Sequence, residues 1–559
     1  MEQNNQHTEP PTHSEADSPD VIVVGAGPTG LTLSLLLARS RHRVLVVERW
    51  PSAYPLPRAV GLSRESLRVL NRTGVTESLK PHLLWDAGHV GMDYLTAAGE
   101  VLFSQTVPVV KSSDGPDGVT FNQPDLEAVL EEQVRAEPRI RLLRGQVVTG
   151  LEQFEDGVRV RIGPSDESGG LRAGADSRTC TARFVVGCDG AQSTVRTLTG
   201  IPMDGDLNFS SDWLVVDLRP TVERDWFPYF GQILAPPRPV TSVPSGPGRR
   251  RFEFMLLPGE RKEAMATEDT VWRLLAERGV VPSNVELVRY AAYTFQARWA
   301  RQWRRGRVLL AGDAAHLTPP FLGQGMNSGI RDVATLAWRL DLVLRELVPA
   351  DTLDDYGRER IPHVSQLISD AVTIGNVLCL LDPEACAERD RMIRENSAQA
   401  PPSLRWRMGT GPLAAEDPHA GWLSRQGLVR AGGRDGLFDD VCGTGGHVLL
   451  SRGRDPLEAL SPPVREAWRR LGGLAVHFGP GAPVTDVEGV YGSWFDEWNR
   501  DVILIRPDFH VFGTAASSDG AEALIRELTG RLRMVPQGSV SVDRRLSSSE
   551  RLHHETRQS

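Results

Sequence analysis

The sequence predicts an α/β protein with a parallel nucleotide-binding sheet, an antiparallel sheet inserted into it, and a second α/β unit towards the C-terminus. Three observations carry this. Residues 21–39 read VIVVGAGPTGLTLSLLLAR, an apolar strand, a glycine turn and a helix start. Much later, GRVLLAGDAAHLTPPFLGQGMNSGIRD at 306–332 gives strand, glycine-spaced loop and helix again. Between them, from about 205 to 300, short strands with Pro/Gly breaks, such as APPRPVTSVPSGPG at 235–248, fit an antiparallel sheet.

The elements follow in order. Residues 1–20 are polar, acidic and proline-bearing, and read as a disordered lead without the basic and apolar regions of a signal peptide. A second strand, Arg43 to Val47, ends at Glu48 and makes a βαβ opening. PDLEAVLEEQVRAE at 124–137 is a helix with Pro124 at its first position. Val147–Phe154 and Gly157–Ile162 alternate as an antiparallel hairpin. A Gly/Ser/Asp-rich surface insertion at 163–178 precedes a strand at Ala182–Val186. Substrate-domain segments are expected at about 85–120 and 205–300, and residues 333–395 are helical, so the nucleotide-binding domain spans 21–395. A Pro/Gly/polar linker at 396–420 leads to the last unit, 421–540. There strands His447–Leu450, Val502–Ile505 and Phe509–Phe512 alternate with helices Pro463–Leu471 and Ala521–Arg531, and 541–559 form a polar tail.

Composition excludes several classes. A formal charge of −9 leaves no basic surplus for a nucleic-acid partner. Five scattered cysteines form no CxxC, so neither a metal site nor a redox dithiol is indicated, and the usage fits a reducing cytoplasm. The longest apolar run, Val21 to Leu37, is broken by three glycines and a proline, which excludes a membrane span there.

The glycine motifs carry the chemistry. Gly25 turns the chain, Gly27 admits a pyrophosphate, and Gly30 lets helix and strand pack closely. Glu48, eighteen residues after Gly30, is placed to accept from an adenosine ribose hydroxyl. This turn alone does not name the dinucleotide. In the later run Gly312 allows close backbone approach, and Asp313 offers a carboxylate to a ribityl or ribose hydroxyl. Gly323, Gly325 and the following helix start supply N–H groups and a positive dipole end, suited to the electron-rich edge of a reduced isoalloxazine. The two runs together imply FAD rather than NAD. A third run, Phe184 to Arg196, contains Asp189-Gly190, which alone would be an ordinary turn. His316 reads as a structural rather than an acid/base residue.

These motifs resemble those of the class A flavoprotein aromatic hydroxylases, the family of p-hydroxybenzoate hydroxylase. The matches are GAGPTG at 25–30, GCDG…S…VR at 187–196 and GDAAH…P…GQGMNSG…D at 312–332. Pro57-Arg58-Ala59, Gln123-Pro124-Asp-Leu126-Glu127 and Tyr356…Glu359-Arg360 extend the resemblance to about residue 395. The similar subgroup carries a C-terminal thioredoxin-like domain and includes 3-(3-hydroxyphenyl)propionate, phenol, resorcinol and polyketide hydroxylases. Leu437-Phe-Asp439-Asp440…Gly443…His447 and Leu504-Ile-Arg506-Pro-Asp508 resemble that domain's opening and closing strands. Gln192, where the subgroup often has arginine, and Phe512-Gly513, in place of Ala-Trp-Arg, depart from the pattern.

The resemblance implies that Gly25, Gly27 and Gly30 take the FAD pyrophosphate, Glu48 the adenosine ribose and Asp313, beside Gly312, the ribityl chain. Arg58 and Gln123 would lie near the flavin phosphate and ribityl side, with Arg49 and Asn327 completing the cofactor set. Asp189, Gly190 and Arg196 would sit at the nicotinamide approach. Pro320, Gly323, Gly325 and Met326 would line the flavin face where oxygen reacts. The implied reaction hydroxylates a phenolic substrate with NADPH or NADH and O2 by way of an oxygen adduct at the flavin C4a. The chain has only one complete dinucleotide turn, so the nicotinamide would bind transiently. A tailoring monooxygenase of a polycyclic polyketide, with hydroxylation or Baeyer–Villiger outcome, is the alternative. Specificity would reside in the insert, where Trp213, Trp226, Phe227, Tyr229, Phe230, Phe254 and Tyr293 supply aromatic surface. The reading leaves room for a homodimer.

Overall fold

The computed structural model describes residues 18–53, 58–84, 91–106, 118–396, 406–409, 411–443 and 445–536. The expectations placed on 1–17, Pro57, 85–90, 107–117, most of the linker and the tail from 537 lie outside the described residues.

The nucleotide-binding sheet has six strands in the order Arg304–Arg305, Val308–Leu310, Phe184–Gly187, Val21–Val24, Val44–Glu48, Ile140–Arg144. All pair in parallel except the Arg304–Arg305 edge. Val21–Val24, Val44–Glu48 and Phe184–Gly187 are buried throughout, as expected of strands covered on both faces. Helices Pro28–Arg39 and Gly325–Leu344 pack together beside the sheet. Their contact is close because Thr29 lies against two glycines. A Cβ added at Gly312 would come within 2.9 Å of the Thr29 hydroxyl, and one at Gly329 within 2.5 Å.

The hairpin carries a third strand: Arg178–Ala182 pairs with Val158–Pro164, which pairs with Gln146–Gln153. The single strand expected at Ala182–Val186 is thus two strands in different sheets, and the chain changes sheet at Arg183. The physical reason lies in patterning. Residues 178–182 are polar and half-exposed, as suits an edge, whereas Phe184–Gly187 are wholly buried.

The insert is an eight-stranded sheet in the order His316–Leu317, Val285–Ala300, Met203–Pro220, Arg250–Met255, Val240–Pro244, Gly231–Ile233, Gly91–Leu95, Val101–Thr106. Alternation divides its two faces. Leu214, Val216, Leu218, Phe252 and Phe254 bury against Val271, Leu274 and Leu275 of helix Glu268–Ala276. Thr267 caps that helix by accepting from the Thr270 N–H. The other face carries Trp213, Val215, Asp217, Arg251 and Glu253 and turns towards the nucleotide domain. Arg251 Nη1 donates to the Arg58 carbonyl at 2.5 Å, and the Trp213 and Phe321 rings stand 6.0 Å apart.

The last unit has a four-stranded sheet in the order Leu474–Phe478, Val448–Arg452, Val502–Ile505, Val511–Ala515. The first pair is parallel and the other two antiparallel. Helices Pro462–Arg470, Val490–Trp498 and Ala521–Arg531 accompany it. Its union with the nucleotide domain is ionic and buried. Arg506 donates to Glu359 at 2.5 and 3.0 Å and to Asp508 at 3.0 and 2.6 Å. Arg339 donates to Glu359 at 2.6 Å, and Trp338 Nε1 to Asp508 at 3.2 Å. Nearby, Arg68 holds Asp439 at 2.5 and 2.9 Å.

Candidate active site

The three glycine motifs meet at the ends of the parallel strands. Gly25 has φ +106°, and a Cβ there would lie 2.4 Å from the Cys188 carbonyl oxygen. A Cβ at Gly30 would strike the Gly25 carbonyl oxygen at 2.1 Å. Sequence motifs far apart in the chain therefore form one cradle. Glu48 ties the end of the second strand to it: one carboxylate oxygen accepts from the Ala26 N–H at 2.7 Å, the other from the Trp50 N–H at 2.8 Å. Each oxygen keeps further acceptor capacity.

Asp313 stands after the strand Val308–Leu310 and is open to solvent, yet protein surrounds it. That desolvation raises its carboxyl above the usual range, against the pull of His316 and Arg58. Asp332, named in the motif without a role, organises this loop. It accepts from the Gly312 N–H at 3.0 Å, from His316 Nε2 at 2.6 Å and from Arg360 Nε at 2.9 Å. Burial alone would raise the Asp332 carboxyl, but His316 and Arg360 hold it below the usual range. His316 is fully enclosed and stacks on Trp303 with ring centroids 5.3 Å apart, an anchoring role.

The loop before helix Gly325–Leu344 makes one tight turn at Pro320–Leu322, and Gly323 takes φ +62°. Asn327 closes it. Its Nδ2 donates to the Gly323 carbonyl at 2.9 Å and the Gly61 carbonyl at 3.2 Å, and its Oδ1 accepts from Ser63 N–H and Ser66 Oγ. Met326 packs partly buried against the main core. Gln123 is also occupied with protein: it accepts from the Ala59 N–H at 2.7 Å and donates to Glu127 at 2.7 Å, fixing the turn that carries Arg58. The Arg58 guanidinium is 53% exposed. Arg49 lies partly buried beside the Trp50 ring.

Asp189 accepts from Ser193 Oγ at 2.5 Å and the Val195 N–H at 3.1 Å, and Gly190 adopts φ +83°. Arg196 donates to the Ala314 and Ala191 carbonyls at 2.8 and 2.7 Å, joining the second motif to the third. The structure thus brings Gly25, Gly27, Gly30, Glu48, Asp189, Arg196, Gly312 and Asp313 to one cleft edge.

The residues fit FAD. A Cβ at Gly27, Gly323 or Gly325 would meet nothing within 4 Å, so the backbone there is open to a ligand. Thr318 Oγ1 and Gln324 Oε1 are buried without partners among the described residues. Among the aromatic residues expected to line the substrate, Trp213 and Tyr293 share the cleft face through their cross-strand pairing. Phe254 points into the opposite core, where Trp226 also packs, and Tyr229 and Phe230 pack on each other. Phe227 is 69% exposed.

A double glycine cradle, a carboxylate at the end of the later strand and an eight-stranded sheet facing the loop suit a flavoprotein of the FAD-dinucleotide type. Residues 18–371 match the FAD binding domain family and 421–531 the HcaD C-terminal domain. The chain belongs to the FAD-dependent aromatic hydroxylases, and is a monooxygenase with FAD as cofactor and a reduced nicotinamide as electron donor. It is 37% identical to a "probable NADH-specific resorcinol 4-hydroxylase" of Rhodococcus jostii strain RHA1, over 92% of this chain and 96% of that protein. It is 31% identical to a 3-(3-hydroxy-phenyl)propionate/3-hydroxycinnamic acid hydroxylase of Paraburkholderia xenovorans strain LB400, over 93% and 92% of the two chains. The crystal structure of aklavinone-11 hydroxylase with FAD and aklavinone superposes with a TM-score of 0.74 at 25% identity, covering 92% of this chain and 98% of that one.

Proposed function

We propose that this enzyme hydroxylates a small phenolic ring held between the cleft face of the eight-stranded sheet and the loop at 320–325. The observation that carries this is the meeting of Trp213 and Phe209 on the sheet with Phe321 on the loop, ring centroids 6.0 and 6.3 Å apart. They form an aromatic wall that excludes water beside the cofactor loop. When bound, FAD carries electrons from the nicotinamide to O2 and delivers one oxygen atom to the ring. The protein binds and orients. The N–H groups after Gly25, Gly27 and Gly30 take the pyrophosphate, Glu48 the ribose and Asp313 a ribityl hydroxyl, with Arg58 reaching across from the Gln123-fixed turn.

The R. jostii relative supports a resorcinol-type phenol and NADH as donor. The likeness to aklavinone-11 hydroxylase supports a larger polycyclic phenol as the second reading. The strand order of the last unit supports a thioredoxin-like domain that, lacking CxxC, braces the flavin-loop helix through Trp338 and Asp508. The five free cysteines suit a reducing cytoplasm. The test is oxidation of NADH and NADPH by the FAD-loaded protein with phenol, resorcinol, hydroxyphenylpropionate and a polycyclic naphthol. The expected result is stimulation by a small phenol, with one oxygen gained. Stimulation by the naphthol alone would favour the second reading.

A further inference from the structure

One transverse row of the eight-stranded sheet lies between the aromatic pair Trp213 and Tyr293 on one side and the charged row Arg251, Asp217 and Arg289 on the other. Cross-strand pairing aligns Tyr94 with Gln232, Gln232 with Thr241, Thr241 with Glu253, and Glu253 with Val215. Paired residues share a face, and Val215 belongs to the alternation of Trp213 and Asp217, so this row looks onto the cleft. Two members have unused valence. Gln232 is 4% exposed, and its Oε1 accepts from Thr241 Oγ1 at 2.7 Å while its Nε2 has no partner. The Glu253 side chain is 14% exposed. Among the described residues it accepts no hydrogen bond, and its nearest cation, Arg251 Nη1, is 3.7 Å away.

The cations of the same face are occupied. Arg251 binds Asp217 at 2.7 and 3.1 Å and the Arg58 carbonyl at 2.5 Å. Arg289 donates to the Tyr293 hydroxyl and lies 3.9 Å from Asp217. A buried polar group without a partner is costly unless a ligand supplies one. The spare groups here are an anionic acceptor and an amide donor, with no uncommitted cation beside them. They would repel a substrate carboxylate and satisfy hydroxyl groups. Glu253 and Gln232 sit two strand spacings apart, about 10 Å between backbones, a span that a ring with an oxygen on each side matches.

Building on the phenol-hydroxylase reading, we propose that Glu253 and Gln232 bind the oxygens of a neutral ring bearing at least two hydroxyls, and that they select it over phenols carrying a carboxylate. Glu253 accepts the hydrogen bond of the hydroxyl that activates the ring. As oxygen transfer draws electrons from the ring, that O–H bond breaks, its electron pair stays on oxygen and its proton passes to the Glu253 carboxylate. Gln232 Nε2 donates to the second oxygen.

The test uses the FAD-loaded full chain and two probes, resorcinol and 3-(3-hydroxyphenyl)propionate. The ratio of their kcat/KM values on one enzyme preparation is independent of how much protein has folded. Wild type is expected to favour resorcinol. Glu253→Gln should lower kcat/KM for resorcinol by about ten- to hundred-fold, and the ratio with it. Glu253→Asp should restore part of both, and Gln232→Leu should act mainly on KM. A wild type that favours the propionate, or a ratio unchanged in Glu253→Gln, overturns the assignment. A wild type stimulated by no phenol overturns the underlying phenol reading instead.

Discussion

Two buried polar clusters of the molecule, one at the junction with the last unit and one on the eight-stranded sheet, are built on opposite terms. At the junction with the last unit, Glu359, Arg506, Asp508 and Arg339 satisfy one another through several short bonds. On the substrate sheet, Glu253, its side chain 14% exposed, has only Arg251 Nη1 at 3.7 Å and no hydrogen bond among the described residues, and Gln232 Nε2 likewise has no partner there. Carboxyl behaviour records the difference. Burial would raise Asp508, but Arg506 and His510 hold it well below the usual range. Burial raises Glu253, Asp217 adds to this, and Arg251 and Arg289 only partly oppose it. A closed network fixes one geometry; an open one leaves interaction energy for a visitor.

The comparison can be broken from the closed side first. Arg506→Leu leaves two buried carboxylates, Glu359 and Asp508, with only Arg339, Trp338 and His510 to offset them, an expected loss of about 3–5 kcal/mol. Denaturant unfolding of the FAD-loaded enzyme measures it, and a loss near zero would show that the junction is not a structural lock. Asp332→Asn comes next. It removes the charge that His316 and Arg360 face and should weaken FAD binding by about ten- to hundred-fold, read by flavin fluorescence on titration.

The open side should respond with the reverse sign. Glu253→Gln is expected to stabilise the substrate-free enzyme at neutral pH by about 1 kcal/mol, because it removes a buried charge that Arg251 and Arg289 only partly offset. The pH dependence follows. The folded pKa of Glu253 is raised, so its contribution is fully present below the unfolded value and lost as pH rises through the folded one. The stability gap between wild type and Glu253→Gln should therefore open with rising pH above the usual carboxylate range. Asp508, held low, does the opposite: its contribution is present above the unfolded pKa and lost as pH falls through the folded one. The smallest effect is Thr241→Val, which releases Gln232 Oε1 and should cost a few-fold in kcat/KM, about 1 kcal/mol of transition-state binding, with little change in melting temperature.

How legible this was in the sequence depended on range. Glycine turns are local and sterically strict, so Gly25, Gly30, Gly312 and their strands could be read directly. The same holds for the antiparallel strands between 203 and 300, whose Pro/Gly breaks and alternation are properties of short windows, but not for the parallel pairing of Gly231–Ile233 with Gly91–Leu95, which makes the sheet mixed. The sheet change at Arg183 was not legible, since two strands separated by one residue read as one. Nor was the polar row. Tyr94, Gln232, Thr241 and Glu253 lie on four strands and become neighbours only through register. Their signal was a polar residue at an inward position of each short strand, which alone looks like noise. Asp332 and Arg506 show the same limit, each having an acidic or basic partner from a distant helix or strand.

The order of the strands also sets a timetable. Five of the insert's eight strands lie between residues 203 and 300, while the nucleotide sheet waits for Val308–Leu310 to pair with Phe184–Gly187. Contacts of long sequence separation close late, and chains emerging from the ribosome fold what is already made. The sheet face that carries Phe209 and Trp213 can form while the nucleotide sheet is still missing a strand, but Phe321, which packs on both, arrives only with residues 306–332. Residues 306–332 therefore deliver the last parallel strand of the nucleotide sheet and the Phe321 side of the aromatic wall together, onto an insert whose central strands are already made.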